Sequence, residues 1–372
     1  MVVVYRKYRP KNFSDIVGQE NIIQTLTNAI SMGLVSHAYL FYGQRGTGKT
    51  STARLLAKAM NCSQSKDFEP CNKCQSCLEV ERGNAMDLIE IDAASNRGID
   101  EMRALKEGIN VAPTKSKYKL YIIDEAHQLT KEASNALLKT LEEPPAHVIF
   151  ILCTTEFPKI LPTIASRCQR FEFKKMGFKN LIKRLEIICK KEEVKIEKGA
   201  LESIAMAAEG SIRDSESLLD EVINFQDKEI TKKNVEDILG LVGIEPVFKL
   251  VNFLKDKNKK GAIEHLFKVS QSGTDIENFL KKLISYLRNL LLVKINSQIL
   301  EGSNIFTKEE EEGIKTQEKE FEEVGLKEVL KIFLETQNQI KWSDNPQLLL
   351  ELALMDSIEA LNGGSFKNEA DE

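Results

Sequence analysis

A chain of 372 residues is too long for one ordinary compact core and calls for two or three domains. With 42% hydrophobic and 29% charged residues it reads as soluble and globular, and no stretch approaches the ~20 apolar residues that a membrane span needs. A net charge of −4 argues against a surface coated for polyanion binding but leaves room for local basic patches.

Residues 1–6 contain too short an apolar run, and no cleavage pattern, for a secretory leader, so the cytosol is the expected compartment. Strand-length apolar runs follow at 38–42, 88–92, 120–124, 148–154 and 171–173. Helix-period stretches such as 51–60 and 131–141 lie between them. Strands alternating with helices predict a parallel sheet covered on both faces. From about Gly177 the strand signal ends; Leu181, Leu185 and Ile188 keep helical spacing, as do Phe279, Leu283 and Leu290, then Leu326, Leu330, Phe333 and Leu334. Breaks fall near 174–179 and 240–246. The charge runs 256–260 and 308–313 read as solvated loops or helix ends, and the small, acidic stretch 363–372 as a disordered tail.

Gly43-Gln44-Arg45-Gly46-Thr47-Gly48-Lys49-Thr50 matches G-x-x-x-x-G-K-[ST], with a strand before it and a helix pattern after it. Glycines at 43, 46 and 48 let backbone amides turn inward around phosphates, and Thr47 and Ser51 flank the cradle. Lys49 would reach the β and γ phosphates, and the Thr50 hydroxyl would ligate Mg²⁺. The strand 120–124 runs into Asp124 and Glu125. The first acid fits a role in the Mg²⁺ shell, and the second a role in polarising the attacking water. Asp124-Glu125-Ala126-His127 also spells the signature of one helicase class. Those enzymes carry two tandem motor domains, which the helical second half here does not provide, so His127 is read as a packed or hydrogen-bonding residue.

Four of the seven cysteines, Cys62, Cys71, Cys74 and Cys77, fall within 16 residues, with spacings of eight, two and two. Cytosolic thiols stay reduced, which favours a metal site over disulfides. Four sulfurs complete a tetrahedral Zn²⁺ shell with no open position, so such an ion would be structural. Unligated buried thiols and an iron–sulfur cluster are the alternatives. Cys153, Cys168 and Cys189 read as ordinary buried cysteines.

With these pieces in place the chain resembles the AAA+ ATPases of clamp loaders, and among them the gamma/tau family of bacterial DNA polymerase III. Tyr5-Arg6-Lys7-Tyr8-Arg9-Pro10, with Phe13, Asp15 and Val17-Gly18-Gln19-Glu20, is similar to the opening segment of that family, which wraps the adenine. The resemblance thereby implicates Tyr5, Arg9, Pro10 and Val17 in binding ATP. Glu90-Ile91-Asp92-Ala93-Ala94-Ser95, the run from Asn135 to Pro145 ending Leu141-Glu142-Glu143-Pro144-Pro145, and Ser166-Arg167-Cys168 match further family segments. The likeness is specific through about residue 225 and looser beyond it. It implies that Thr155, or else Thr154, is sensor 1 for the γ-phosphate. It also implies that Arg167 is an arginine finger entering a neighbour's ATP site, and that Arg213 is sensor 2. Cys153 stands where the family usually has alanine. The same cysteine spacing occurs in the family's zinc module, which points to Zn²⁺.

The expected architecture is therefore an α/β AAA+ (P-loop NTPase) core with a parallel five-stranded sheet over 1–175, including a zinc-binding insertion at 62–77. A small helical lid over 176–240 and an all-α collar over 241–362 follow. The expected function is that of the ATP-driven motor subunit of the replicative clamp loader. Its partners would be further copies of itself, the delta and delta-prime subunits, the sliding clamp, and primer–template DNA held through backbone phosphates. Ser95-Asn96-Arg97-Gly98, ahead of a helical stretch at 99–108, is the candidate DNA contact. A Holliday-junction remodeller is opposed by the cysteine cluster and Ser166-Arg167-Cys168. A nucleotide-locked scaffold is opposed by intact Lys49, Asp124 and Glu125.

Overall fold

The computed structural model describes residues 3–66, 68–95, 108–225, 229–296 and 308–362. The stretch expected to touch DNA lies almost wholly outside the described residues, as does the tail 363–372. The chain forms two compact units. One is Met1–Val194 with Ile204–Asn224, the other Lys195–Ser203 with Phe225–Glu372.

The first unit is built on β1 (Ala38–Gly43), β2 (Leu88–Asp92), β3 (Lys119–Asp124), β4 (Val148–Thr154) and β5 (Gln169–Phe173). The strands form one sheet in the order β2-β3-β4-β1-β5, with every pairing parallel. Alternation of side chains divides each central strand between two cores. Tyr39, Phe41, Leu120, Ile122, Ile149 and Ile151 enter one apolar cluster. Leu40, Tyr121, Ile123, Phe150 and Leu152 enter the other. Both faces are thus covered, as a parallel sheet requires. Fully buried rings such as Phe41 and Phe150 each contribute about 2–3 kcal/mol relative to exposure.

α1 (Glu20–Ser31), α2 (Lys49–Met60), α3 (Gln75–Arg82) and α4 (Lys131–Glu142) accompany the sheet. α2 lays Ala53, Leu56 and Ala57 against the first core, and α4 lays Ala133, Leu137 and Leu141 against the second. Thr130 caps α4 by accepting the Ala133 amide at 3.1 Å. α2 begins two residues earlier than the pattern from residue 51 suggests. Gly48, at φ 98°, turns the chain so tightly that Lys49 and Thr50 already sit in the first helical turn. After β5 come α5 (Phe178–Lys191), α6 (Lys198–Ala207) and α7 (Ile212–Phe225).

The second unit is helical: α8 (Lys232–Leu239), α9 (Ile244–Lys255), α10 (Lys259–Gln271), α11 (Ile276–Ile295), α12 (Lys308–Gln317), α13 (Glu323–Ile340) and α14 (Pro346–Leu361). The charge run at 308–313 is the start of α12, the helix end that was one of its two readings. One core gathers Leu250, Leu254, Leu266, Phe279, Leu283, Phe333 and Leu354. Within it Gln317, 1% exposed, accepts from the Tyr286 hydroxyl at 2.8 Å and donates to Phe248 O at 3.1 Å and Asn252 Oδ1 at 2.7 Å. α14 is apolar nearly all round. Leu350, Ala353, Leu354 and Ile358 are buried, while Leu348 and Leu352 remain about half exposed.

Candidate nucleotide site and cysteine centre

Parallel pairing brings the carboxyl ends of β1, β3 and β4 to one edge of the sheet, where Tyr42 lies opposite Thr154 and Asp92 opposite Asp124. Ligands of open α/β sheets bind at this edge. The loop from Gly43 to Thr50 wraps it, and two of its glycines are dictated by close neighbours. A Cβ on Gly43, at φ 145°, would lie 2.2 Å from the Phe173 carbonyl oxygen, and one on Gly46 would lie 1.9 Å from Ser211 Oγ. The Gly46 carbonyl also accepts the Ile212 amide at 3.1 Å, which ties the loop to the start of α7.

Lys49 is 6% exposed and donates through Nζ to the carbonyls of Gly43 and Gln44, both at 2.8 Å. Burial lowers its pKa, partly opposed by Asp124 and Glu125. A phosphate oxygen is a stronger acceptor for an ammonium than a neutral carbonyl, so these contacts hold the lysine ready without competing with it. Thr50 Oγ1 donates to Asp124 Oδ2 at 2.8 Å, which places side by side the two oxygens that a hard divalent cation would share. Glu125, left-handed at φ 48°, accepts the Thr155 hydroxyl at 2.9 Å and the Thr155 amide at 3.3 Å on Oε2.

The adjoining cleft is lined by Tyr5, Arg9, Pro10, Val17, Gly46, Thr47, Gly48, Lys49, Thr50, Ser51, Asp124, Glu125 and Arg213, all anticipated from sequence. Gly43 and Thr155 are not among the lining residues but bond two that are, Lys49 and Glu125. Arg213 stacks on Tyr5, its guanidinium carbon 4.8 Å from the ring centroid, and hydrogen bonds from Arg6 and Arg213 lower the Tyr5 pKa. Arg167 is not among the lining residues. It is partly exposed and bonded to Glu142 Oε1 and Thr163 O, each at 2.7 Å.

Sequence reasoning missed Met176, Arg184, Ile212 and Glu216, which also line the cleft. Arg184 Nε donates to Glu216 Oε1 at 2.9 Å, and its Nη2 bonds the Tyr8 carbonyl. Burial pushes the Glu216 carboxyl up to about 7 against the opposing pull of Arg184. The one available signal was the three-residue step from Arg213, which sets both side chains on one face of α7.

Cys62 lies just beyond α2, Cys71 and Cys74 in the following turn, and Cys77 in α3. Their four sulfurs all lie within 4.8 Å of one another, with Cys62–Cys74 at 3.9 Å and Cys71–Cys77 at 4.0 Å. Tetrahedral zinc thiolates require roughly 3.8 Å between sulfurs, so the donor set fits the ion. Backbone amides point at the cluster: Cys71 N lies 3.3 Å from Cys62 Sγ, and Cys74 N 3.2 Å from Cys71 Sγ. Burial raises the Cys74 pKa, but the Cys77 and Ser63 amides overcome it and bring that thiol to about 6. Burial raises Cys77.

Three family profiles cover most of the chain. They are DNA polymerase III, delta subunit, over residues 18–177, the ATPase lid domain of the DNA polymerase III clamp loader subunit over 180–228, and DNA polymerase III subunits gamma and tau domain III over 230–363. The chain is 44% identical to DNA polymerase III subunit tau of Bacillus subtilis over 95% of its own length and 62% of that protein. It is 36% identical to DNA polymerase III subunit gamma of Buchnera aphidicola subsp. Acyrthosiphon pisum over 96% of its length and 99% of that protein. Against subunit tau of Escherichia coli the identity is 40%, over 80% of the chain and 46% of that protein. It therefore spans about half to three-fifths of the tau subunits and nearly the whole of the Buchnera gamma subunit. On these matches and this site, the chain belongs to the gamma and tau subunit family of DNA polymerase III.

Proposed function

We propose that this chain is an ATP-hydrolysing motor subunit of a sliding-clamp loader. The observation that carries the reading is the convergence of Lys49, the Thr50–Asp124 pair and Glu125 at one sheet edge, beside a cleft that Arg213 also lines. In this reading the loop amides and Lys49 hold the triphosphate, and Tyr5, Arg9, Pro10 and Val17 take the base. Thr50 and Asp124 would hold Mg²⁺, which neutralises charge on the β and γ phosphates when bound. Glu125 orients the attacking water, Thr155 is sensor 1, and Arg213 adds positive charge as equatorial oxygens gain negative charge. The four cysteines would hold a structural Zn²⁺.

Arg167 lies outside its own chain's cleft, which supports its assignment as the finger for an adjoining protomer. ATP would then sit at a subunit boundary, binding would assemble a spiral, and hydrolysis would loosen it. We assign 1–175 as the ATPase core, 176–240 as the lid and 241–362 as the collar joining copies of this chain to delta and delta-prime. The assembly would open the sliding clamp and track primer–template DNA in the cytosol. No helix of the described residues is long and apolar enough to cross a membrane.

The test is ATP turnover by the assembled loader with and without clamp and primed DNA. Lys49→Ala should abolish turnover. Arg167→Ala should abolish most turnover while ATP binding by the isolated chain stays within about twofold of the parent. Turnover absent under every condition would favour a nucleotide-locked scaffold, and loss of ATP binding by isolated Arg167→Ala would refute action in trans.

A further inference from the structure

His127 follows β3 in a single tight turn, Ala126–Gln128, and its side chain is 4% exposed. Its ring has polar neighbours at the ends of both β3 and β4, one of which, Glu125, lines the cleft. Nδ1 lies 3.0 Å from Thr154 Oγ1 and 3.4 Å from Glu125 Oε2. Nε2 lies 2.9 Å from Gln128 Nε2 and 3.3 Å from Glu156 Oε1. Thr154 Oγ1 already accepts the Glu156 amide at 3.0 Å, so the ring closes a small network joining the end of β3 to the end of β4.

The consequence falls on Glu125. Its Oε2 is approached from two sides, by the Thr155 hydroxyl at 2.9 Å and by His127 Nδ1. Among the described residues Oε1 has no hydrogen-bond partner, and Glu125 lines the cleft. A carboxylate pinned through one oxygen presents the other in a fixed direction. Without the ring, the carboxylate would keep its bonds from the Thr155 hydroxyl and amide but lose the packed Nδ1 contact, and Thr154 would lose its hydrogen bond to Nδ1. Displacement of a reacting group by about 1 Å suffices for a roughly hundredfold loss of rate.

We propose that His127 is a positioning residue for ATP hydrolysis, holding Glu125 and the Thr154–Thr155 strand end in register through Nδ1. The proposal rests on the assignment of Glu125 as the group that orients water. It does not require His127 to touch nucleotide, and it predicts an effect on the hydrolytic step but not on binding.

The experiment compares His127→Ala, His127→Asn and His127→Gln in the full chain within its assembled loader. Single-turnover hydrolysis, affinity for a fluorescent ATP analogue and thermal midpoint are measured for each. Asparagine can place an amide near the Nδ1 position, whereas glutamine reaches toward Nε2. The expected result is a hydrolysis rate lowered about 10- to 100-fold in His127→Ala, with affinity within about threefold of the parent, and substantial recovery in His127→Asn but not in His127→Gln. If His127→Ala does not fold, the contrast between Asn and Gln decides alone. An unchanged rate would overturn the proposal. So would rate, affinity and midpoint falling together, or Asn and Gln behaving alike. Glu125→Gln separates the two levels. If it hydrolyses ATP at the parent rate, the role given to Glu125 fails and this proposal with it. If it is inactive while His127→Ala is normal, only this proposal fails.

Discussion

Glu216 is a carboxylate that the fold places beside a nucleotide cleft yet almost entirely out of water, with one guanidinium for company. Its folded pKa of about 7 exceeds the ~4.3 of an unfolded glutamate. The folded chain therefore binds an extra proton between those values. This group's contribution to stability is in full below pH 4, and it falls away as pH rises through 7. Thermal midpoints of the parent and Glu216→Gln, measured from pH 5 to 8.5, should show the parent losing ground to the variant as pH increases. Parallel curves would contradict the shift. Apart from the three-residue step from Arg213 to Glu216, nothing in the sequence marks Glu216 or Arg184, because each gains its meaning from a partner 32 positions away. His127 was read from the sequence as a packed or hydrogen-bonding residue, which its burial and ring contacts bear out, but its partners could not be named because Thr154 and Glu156 come from the end of β4 and the turn after it. Lys49, Thr50, Asp124 and Glu125 were legible because strand–loop–helix continuity puts phosphate chemistry into adjacent letters.

Elements show the same division. The five strands were readable from apolar runs of the right length, and their parallel pairing from the intervening helices. The start of α2 was not, since it depends on the left-handed Gly48 and not on hydrophobic period. Loop glycines differ in what constrains them, and the difference predicts a ranking. Gly48 has open space where a Cβ would go, so Gly48→Ala costs backbone strain alone, about 1–2 kcal/mol. Gly43 faces the Phe173 carbonyl across the β1–β5 pairing, and Gly43→Ala must also push β5 outward. Urea unfolding of the sheet unit should show Gly43→Ala to be the more damaging by at least ~1 kcal/mol, through overpacking that no rotamer relieves. Equal losses would mean that β5 yields freely.

At the scale of the whole molecule, the two units are stabilised differently. The sheet unit buries two apolar clusters on opposite faces. The helical unit relies on one core pierced by a polar node at Gln317. Gln317→Leu would remove the amide that donates to the Phe248 carbonyl and to Asn252 Oδ1 and that accepts from Tyr286. The expected cost is roughly 1–3 kcal/mol, read as a lower unfolding midpoint for that unit, with nucleotide affinity of the other unit preserved. Loss of both together would show that the units unfold as one.

Cysteine chemistry bears on the same scale. Chelation, or Cys74→Ser, should weaken nucleotide affinity several-fold although no cysteine of the cluster lines the cleft, as titration with a fluorescent ATP analogue would reveal.

The reason is that α2 carries the phosphate lysine in its first turn and meets the first clustered sulfur only two residues past its last. The helix is a strut with the cleft lysine at one tip and the clustered thiols at the other. An oxidant that scrambles those thiols should therefore loosen Lys49 from the far tip of the helix, without ever entering the cleft.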